Sequence, residues 1–143
     1  MGSSYRDLRV WQLAMEMVVG VYEQTRDFPK QEIYGLTSQM RRSAVSVPSN
    51  IAEGKGRSSD RDRAHFFCHA RGSLLELETQ VLIAQRLEYL PSSAAGRLLA
   101  DFGSTRPDAE CPDSVSEEFR ESKRIRSIGS RAKGKPALEV PEV

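Results

Sequence analysis

Cysteine, tryptophan and long apolar runs are all scarce in this 143-residue sequence. Cys68 and Cys111 are too few for a disulfide framework, so a reducing cytoplasm is the expected setting. No stretch approaches the ~20 consecutive apolar residues that a bilayer-spanning helix needs, which argues against a membrane partner. The opening MGSSYRDLRVWQ lacks the apolar core of a signal peptide. Its Met-Gly start resembles a myristoylation site, but Arg6 stands where that motif requires Ser or Thr. Charge of one sign is also missing. The chain has 21 Lys and Arg against 20 Asp and Glu, a formal net charge of +1, so any polyanion would have to be met by a local patch.

Proline is scarce up to Leu90 and frequent after it: five of the seven prolines lie in residues 91–143. That shift divides the chain. Before it, three apolar stripes have helical spacing. Leu8, Trp11, Met15, Val18, Val19 and Tyr22 mark a helix over about 7–28, ended by Phe28-Pro29 because a residue before proline leaves the α region. Leu36, Met40, Ala44, Val47 and Ile51 mark a second over 36–54. Their stripe stays in phase across Pro48, which predicts a kinked helix rather than two. Ser59 as N-cap, with Asp60 and Asp62 in the first turn, opens a third over 59–90. Its apolar face includes Phe67, Leu74, Leu77 and Val81. Burial is expected for Trp11, Met15, Val18, Met40, Val47, Ile51, Phe67, Leu74 and Val81. Three helices leave a groove that a fourth helix or a second copy must cover.

Beyond Pro91 the periodicity collapses. Ala94 to Phe102 reads as a short helix, and Ser114 with Glu117 as a capping box before a marginal segment at 115–126. The expected organisation is a helical bundle domain over 1–102 and an aberrant, disordered tail over 103–143.

Two passages, LTSQMRRSAVSVPSNIAEGKGR and GSLLELETQVLIAQRLEYL, resemble the 23S rRNA intervening-sequence protein family. The resemblance extends over residues 5–90 and includes LRVWQLA, FPKQEIYGL and the helical proline. It implies an all-α, antiparallel up-and-down four-helix bundle that assembles as a ring-like homo-pentamer. It implies no enzymatic activity, no cofactor and no metal. One branch of such proteins serves diversity-generating retroelements, so RNA, DNA and, in that branch, a reverse transcriptase are the implied partners. Near residue 100 the resemblance stops. The family's fourth helix often carries Gly-Arg-Met-Leu-Asn-Ala-Leu, whereas this chain reads RPDAECPD. Permitted codons for those residues, read one base later, encode the family motif. The hypothesis is that the fourth helix is degraded or replaced after about Ala100 by a frameshifted reading.

The candidate chemistry has competing readings. Arg41, Arg42, Lys55, Arg57, Arg61 and Arg63 oppose Glu53, Asp60 and Asp62, a local excess of +3 expected where the second and third helices meet. They read either as phosphate-backbone contacts repeated around an oligomer or as a solvated surface. Asn50, Glu53, Arg71 and Glu78 fall beside apolar stripes and read as a structural polar network. His65 and His69 share a helix face with Cys68 nearby, but two histidines do not supply a tetrahedral metal site. EGKGRSS lacks the spacing of a nucleotide-binding Walker loop. Trp11, Tyr22, Tyr34 and Phe67 offer a stacking platform on one reading and core on the other. Taken with the resemblance, the expected function is a non-enzymatic helical scaffold that binds RNA or DNA weakly. The alternative is a protein-interaction adaptor with no nucleic-acid role.

Overall fold

The computed structural model describes residues 2–105, which form four α-helices and two short 3-10 turns. The first helix, α1, is Arg9–Thr25, and α2 is Leu36–Lys55. The longest, α3, is Asp60–Arg86, and α4 is Ser92–Thr105. No strand occurs among the described residues.

Local chemistry sets these boundaries. Before α1, Ser4 and Asp7 close a capping box around the turn Tyr5–Asp7. Gly35 precedes α2 without a side chain to cap it, and the Glu32 carboxylate replaces that cap by accepting the Leu36 N–H at 2.9 Å. The Tyr89 hydroxyl donates to the other oxygen of Glu32 at 3.4 Å, tying the α3–α4 connection to the start of α2. Ser59 caps α3 as its sequence predicts, its Oγ accepting the Asp62 N–H at 3.1 Å.

Helix α2 runs through Pro48 without a break. Just beyond it, side chains bond back to carbonyls one turn earlier: Ser49 Oγ donates to Val45 and Asn50 Nδ2 to Ser46, both at 2.8 Å. Helix α3 stops four residues before the expected Leu90. The Glu88 N–H donates to the Gln85 carbonyl and the Tyr89 N–H to that of Ala84, each at 3.0 Å. Glu88 has φ 61°, so a Schellman closure ends α3 with Glu in the left-handed position that usually takes Gly. No glycine marks that end in the sequence.

The helices form a square. α2 packs on α1 and α3, α4 packs on α1 and α3, and the pairs α1/α3 and α2/α4 lie across its diagonals. The core holds Met17 and Val21 from α1, Met40, Val47 and Ile51 from α2, Phe67, Leu74 and Val81 from α3, and Leu98 and Phe102 from α4. Burial at Met40, Val47, Ile51, Phe67, Leu74 and Val81 agrees with the sequence reading.

Helix α1 corrects the sequence reading. Its fully buried residues are Ala14, Met17, Val21 and Thr25, none of them in the predicted stripe, of which Leu8, Trp11 and Val18 are partly buried against the core. Met15 is 42% exposed, Val19 and Tyr22 are also exposed, and Trp11 and Val18 are half-buried. The helix is apolar on two sides, and periodicity alone selected the side with the larger residues. The fourth helix is a second correction. It lies at 92–105, earlier in the chain than the resemblance implies, and it occupies the groove with Ala94, Ala95, Leu98, Phe102 and Thr105 buried. The helix passes the expected boundary at residue 102. Residues 106–143, including most of the expected tail and its frameshift, lie outside the described residues.

Candidate functional site

The six candidate cations occupy two places rather than one. Arg41 and Arg42 lie fourteen and thirteen positions before Lys55 on α2, which at ~1.5 Å per residue separates them from it by about 20 Å. The expectation of one cluster at the α2–α3 junction is therefore corrected: only Lys55, Arg57, Arg61 and Arg63 belong to it. Helical rise, which a tally of charges along the chain ignores, is the reason.

At that junction the charge is largely cancelled. Arg57 pairs with Glu53 and stacks on the Phe66 ring with its Cζ 4.6 Å from the centroid. Arg63 pairs with Asp60 at 2.9 Å and donates to the Arg57 carbonyl at 3.3 Å. Both ion pairs are solvent-exposed and contribute at most about 1 kcal/mol each. They nevertheless direct two of the four cations onto protein groups. The glycine-containing connection before α3 also has a local use. Gly54 lets the helices approach closely: a Cβ there would lie 3.1 Å from Phe66 Cβ and 3.2 Å from the Arg63 carbonyl oxygen.

Arg41 has a different environment. Its guanidinium carbon lies 4.5 Å from the centroid of the Tyr22 ring. Its Nε donates to Thr25 Oγ1 at 3.0 Å. Thr25 is itself buried, and its hydroxyl donates to the Val21 carbonyl at 2.8 Å. Ring and hydroxyl, both from α1, thus hold the guanidinium in place. Among the described residues, no carboxylate pairs with Arg41 or Arg42, and the Nη groups of Arg41 have no hydrogen-bond partner. Arg41 and Arg42 both line a cleft of about 610 Å³ between α1 and α2. Thr37, Ser38 and Ser46 contribute hydroxyls to its lining, while Tyr22, Ile33 and Val45 contribute apolar surface. Arg42 also borders a second, polar cleft of about 450 Å³ with Gln39, Ser73 and Glu76.

Among the described residues, the expected polar network is seen around Asn50. Asn50 Nδ2 donates to Ser46 Oγ at 3.0 Å, and the Ser46 and Ser73 hydroxyls share a hydrogen bond of 2.8 Å across α2 and α3. Glu53 instead faces Arg57 on the surface. Arg71 and Glu78 sit half-buried on α3, about 10 Å apart along it. The imidazoles of His65 and His69 lie 4.4 Å apart, tilted by 56°, on an exposed face. Among the described residues, no group of three or more His, Cys, Asp or Glu converges in a way that could hold a metal ion. The four aromatics do not form one platform. Phe67 is core, Tyr34 is 95% exposed, Trp11 packs edge-on to Tyr5, and Tyr22 lies under Arg41.

Sequence reasoning missed Thr25, Thr37, Ser38 and Ile33 at the cleft. Ser38, Arg42 and Val45 recur at helical spacing on α2, a signal that could have grouped them. Thr25 is joined to Arg41 only by tertiary packing.

A second feature borders this cleft. The outward side of α1 continues toward its start as a groove of about 310 Å³, lined by Trp11, Met15, Val18, Val45 and Pro48 among others. Leu75, Leu82 and Ile83 are exposed on α3, the diagonal member of the square, as is Leu87 just past its end. No helix among the described residues is long and apolar enough to cross a membrane.

A family model described as 23S rRNA-intervening sequence protein matches residues 6–106, which include all four helices. No curated protein matches the chain.

Proposed function

The chain belongs to the 23S rRNA-intervening sequence protein family, and from that premise we propose a non-enzymatic, self-associating scaffold that contacts RNA or DNA in the cytoplasm. The observation that carries the reading is the position of Arg41 and Arg42 beside an exposed apolar face, with no carboxylate among the described residues pairing either arginine. Uncancelled arginines favour phosphate, and copies of a weak site on one assembly reinforce one another.

Self-association follows from α1. A helix apolar on two sides normally has both covered, and among the described residues Met15, Val19 and Tyr22 on the second side stay exposed. The two exposed apolar faces, on α1 and α3, lie on diagonal helices and differ in sequence. A contact between unlike faces propagates head to tail and closes into a ring when the rotation permits. A homo-pentamer, as the family resemblance implies, is one such ring.

A gel-shift series on structured RNA at rising salt tests the nucleic-acid reading. Affinity should fall steeply with salt, and Arg41→Gln with Arg42→Gln should weaken binding and flatten the dependence. Sedimentation of Met15→Glu tests assembly, with a shift toward monomer expected. The apolar exterior of α3 favours a second reading, a protein-interaction adaptor. Salt-independent or absent RNA binding with intact assembly would select it.

A further inference from the structure

We infer that the α1–α2 cleft at Arg41 is a site for one unpaired nucleotide of a single strand, with the phosphate on Arg41 and the base against Tyr22, Ile33 and Val45. The inference rests on the nucleic-acid reading above and specifies its ligand.

The geometry separates Arg41 from the other cations. Its Nε and its guanidinium face are already engaged, by Thr25 Oγ1 at 3.0 Å and by the Tyr22 ring at 4.5 Å. Those contacts fix the plane of the fork and leave the Nη groups for an acceptor. A fixed planar fork matches two phosphate oxygens, and less side-chain freedom is lost when they bind. Ser38 adds a hydroxyl in the same cleft, and Arg42 adds a second charge.

A phosphate alone does not account for the rest of the cleft. Its volume of about 610 Å³ falls within the range of sites for small organic ligands. Tyr22, Ile33 and Val45 are each more than 40% exposed, an apolar rim beside two arginines. A phosphate joined to a flat, largely apolar ring satisfies both halves. The requirement for an unpaired nucleotide is steric. In a duplex the bases are stacked inside and the backbone is convex, so a base cannot enter a concave cleft while its phosphate meets the fork. A splayed base can.

The test is fluorescence anisotropy on the full chain with labelled short oligouridylate, a labelled RNA duplex of equal length, and a labelled phosphotyrosine peptide. Variants are Arg41→Gln, Arg41→Lys and, as a control, Arg57→Gln with Arg61→Gln. Circular dichroism and sedimentation confirm that each variant keeps its fold and assembly. The single strand should bind more tightly than the duplex. Arg41→Gln should lose roughly tenfold or more in affinity, the scale of a hydrogen-bonded charged contact. Arg41→Lys should also lose affinity, because an ammonium keeps the charge and not the fork. The control should change single-strand binding by less than roughly twofold, since those arginines lie at the other end of α2.

Equal binding of strand and duplex, or full affinity in Arg41→Lys, overturns the inference. If RNA binds and only the control variant weakens it, the cleft assignment fails while the nucleic-acid reading stands. If neither RNA binds, both fail. Arg41-dependent binding of the phosphopeptide alone would assign the cleft to a protein ligand. Displacement of the strand by an equal concentration of uridine monophosphate would overturn the assignment to a strand.

Discussion

Phe102→Ala should destabilise the bundle by about 3–5 kcal/mol. Phe102 is fully buried and is the largest such side chain in the structure. Removing its ring loses roughly 1.5–3 kcal/mol of transfer free energy, and the cavity left behind raises the total. Helix α4 has 14 residues and few other anchors: Leu98, the small Ala94 and Ala95, and Thr105. Domain stabilities are typically about 5–15 kcal/mol, so the substitution should remove a large share. Urea denaturation followed by circular dichroism gives the number. It also separates two responses. A cavity tolerated in place lowers the midpoint at constant slope, whereas release of α4 from the native bundle also reduces the slope, because less surface remains to be exposed. Arg97→Ala, on the exposed side of the same helix, should stay within about 0.5 kcal/mol of the parent. A cost below about 1 kcal/mol for Phe102→Ala would refute the packing of α4.

Two glycines should respond with opposite sign. Gly20→Ala should stabilise by about 0.5–1 kcal/mol, since its Cβ would make an ordinary 3.6 Å contact with Leu98 while the helix gains the propensity of Ala. Gly54→Ala should destabilise, since Phe66 Cβ and the Arg63 carbonyl belong to or adjoin the α3 backbone and cannot yield without moving the helix. Thermal melts of both variants check the pair. Ser59→Ala should cost about 1 kcal/mol by removing the cap on the Asp62 N–H, measurable by urea titration. Glu88→Gly should raise stability by about 1 kcal/mol by relieving the left-handed backbone at φ 61°, and an unchanged melting midpoint would contradict that account.

The sequence was most legible where one face alone is apolar. Met40, Val47 and Ile51 on α2 and Phe67, Leu74 and Val81 on α3 align at three- and four-residue steps, and all are core. The cap at Ser59 and the continuity through Pro48 were also readable. α1 was readable as a helix but not in orientation. Its core side uses Ala14 and Thr25, which hydropathy underweights, while Met15, Val19 and Tyr22 dominate the exposed side. α4 was readable as a short helix at 94–102, but two of its five buried residues are alanines, so its role as the fourth member was not evident. The end of α3 was hidden because its left-handed residue is Glu88. At the site, Arg41 was identifiable as a candidate. Its partners Tyr22 and Thr25 lie on another helix, and its distance from Lys55 follows only once α2 is given its length.

The square of helices has a kinetic consequence. α2 and α3 are joined by a short connection and share the most extensive seam, so their pairing costs little loop entropy. α4 meets α1 only after the chain has traversed that whole hairpin, which makes their contact the least local in the bundle. The hairpin should therefore assemble early, with α4 docking after the folding barrier. Lesions at Leu74 or Ile51 should slow refolding, while lesions at Leu98 or Phe102 should appear chiefly as faster unfolding. Opening then begins at α4, uncovering Gly20, while α2 is still held against α3.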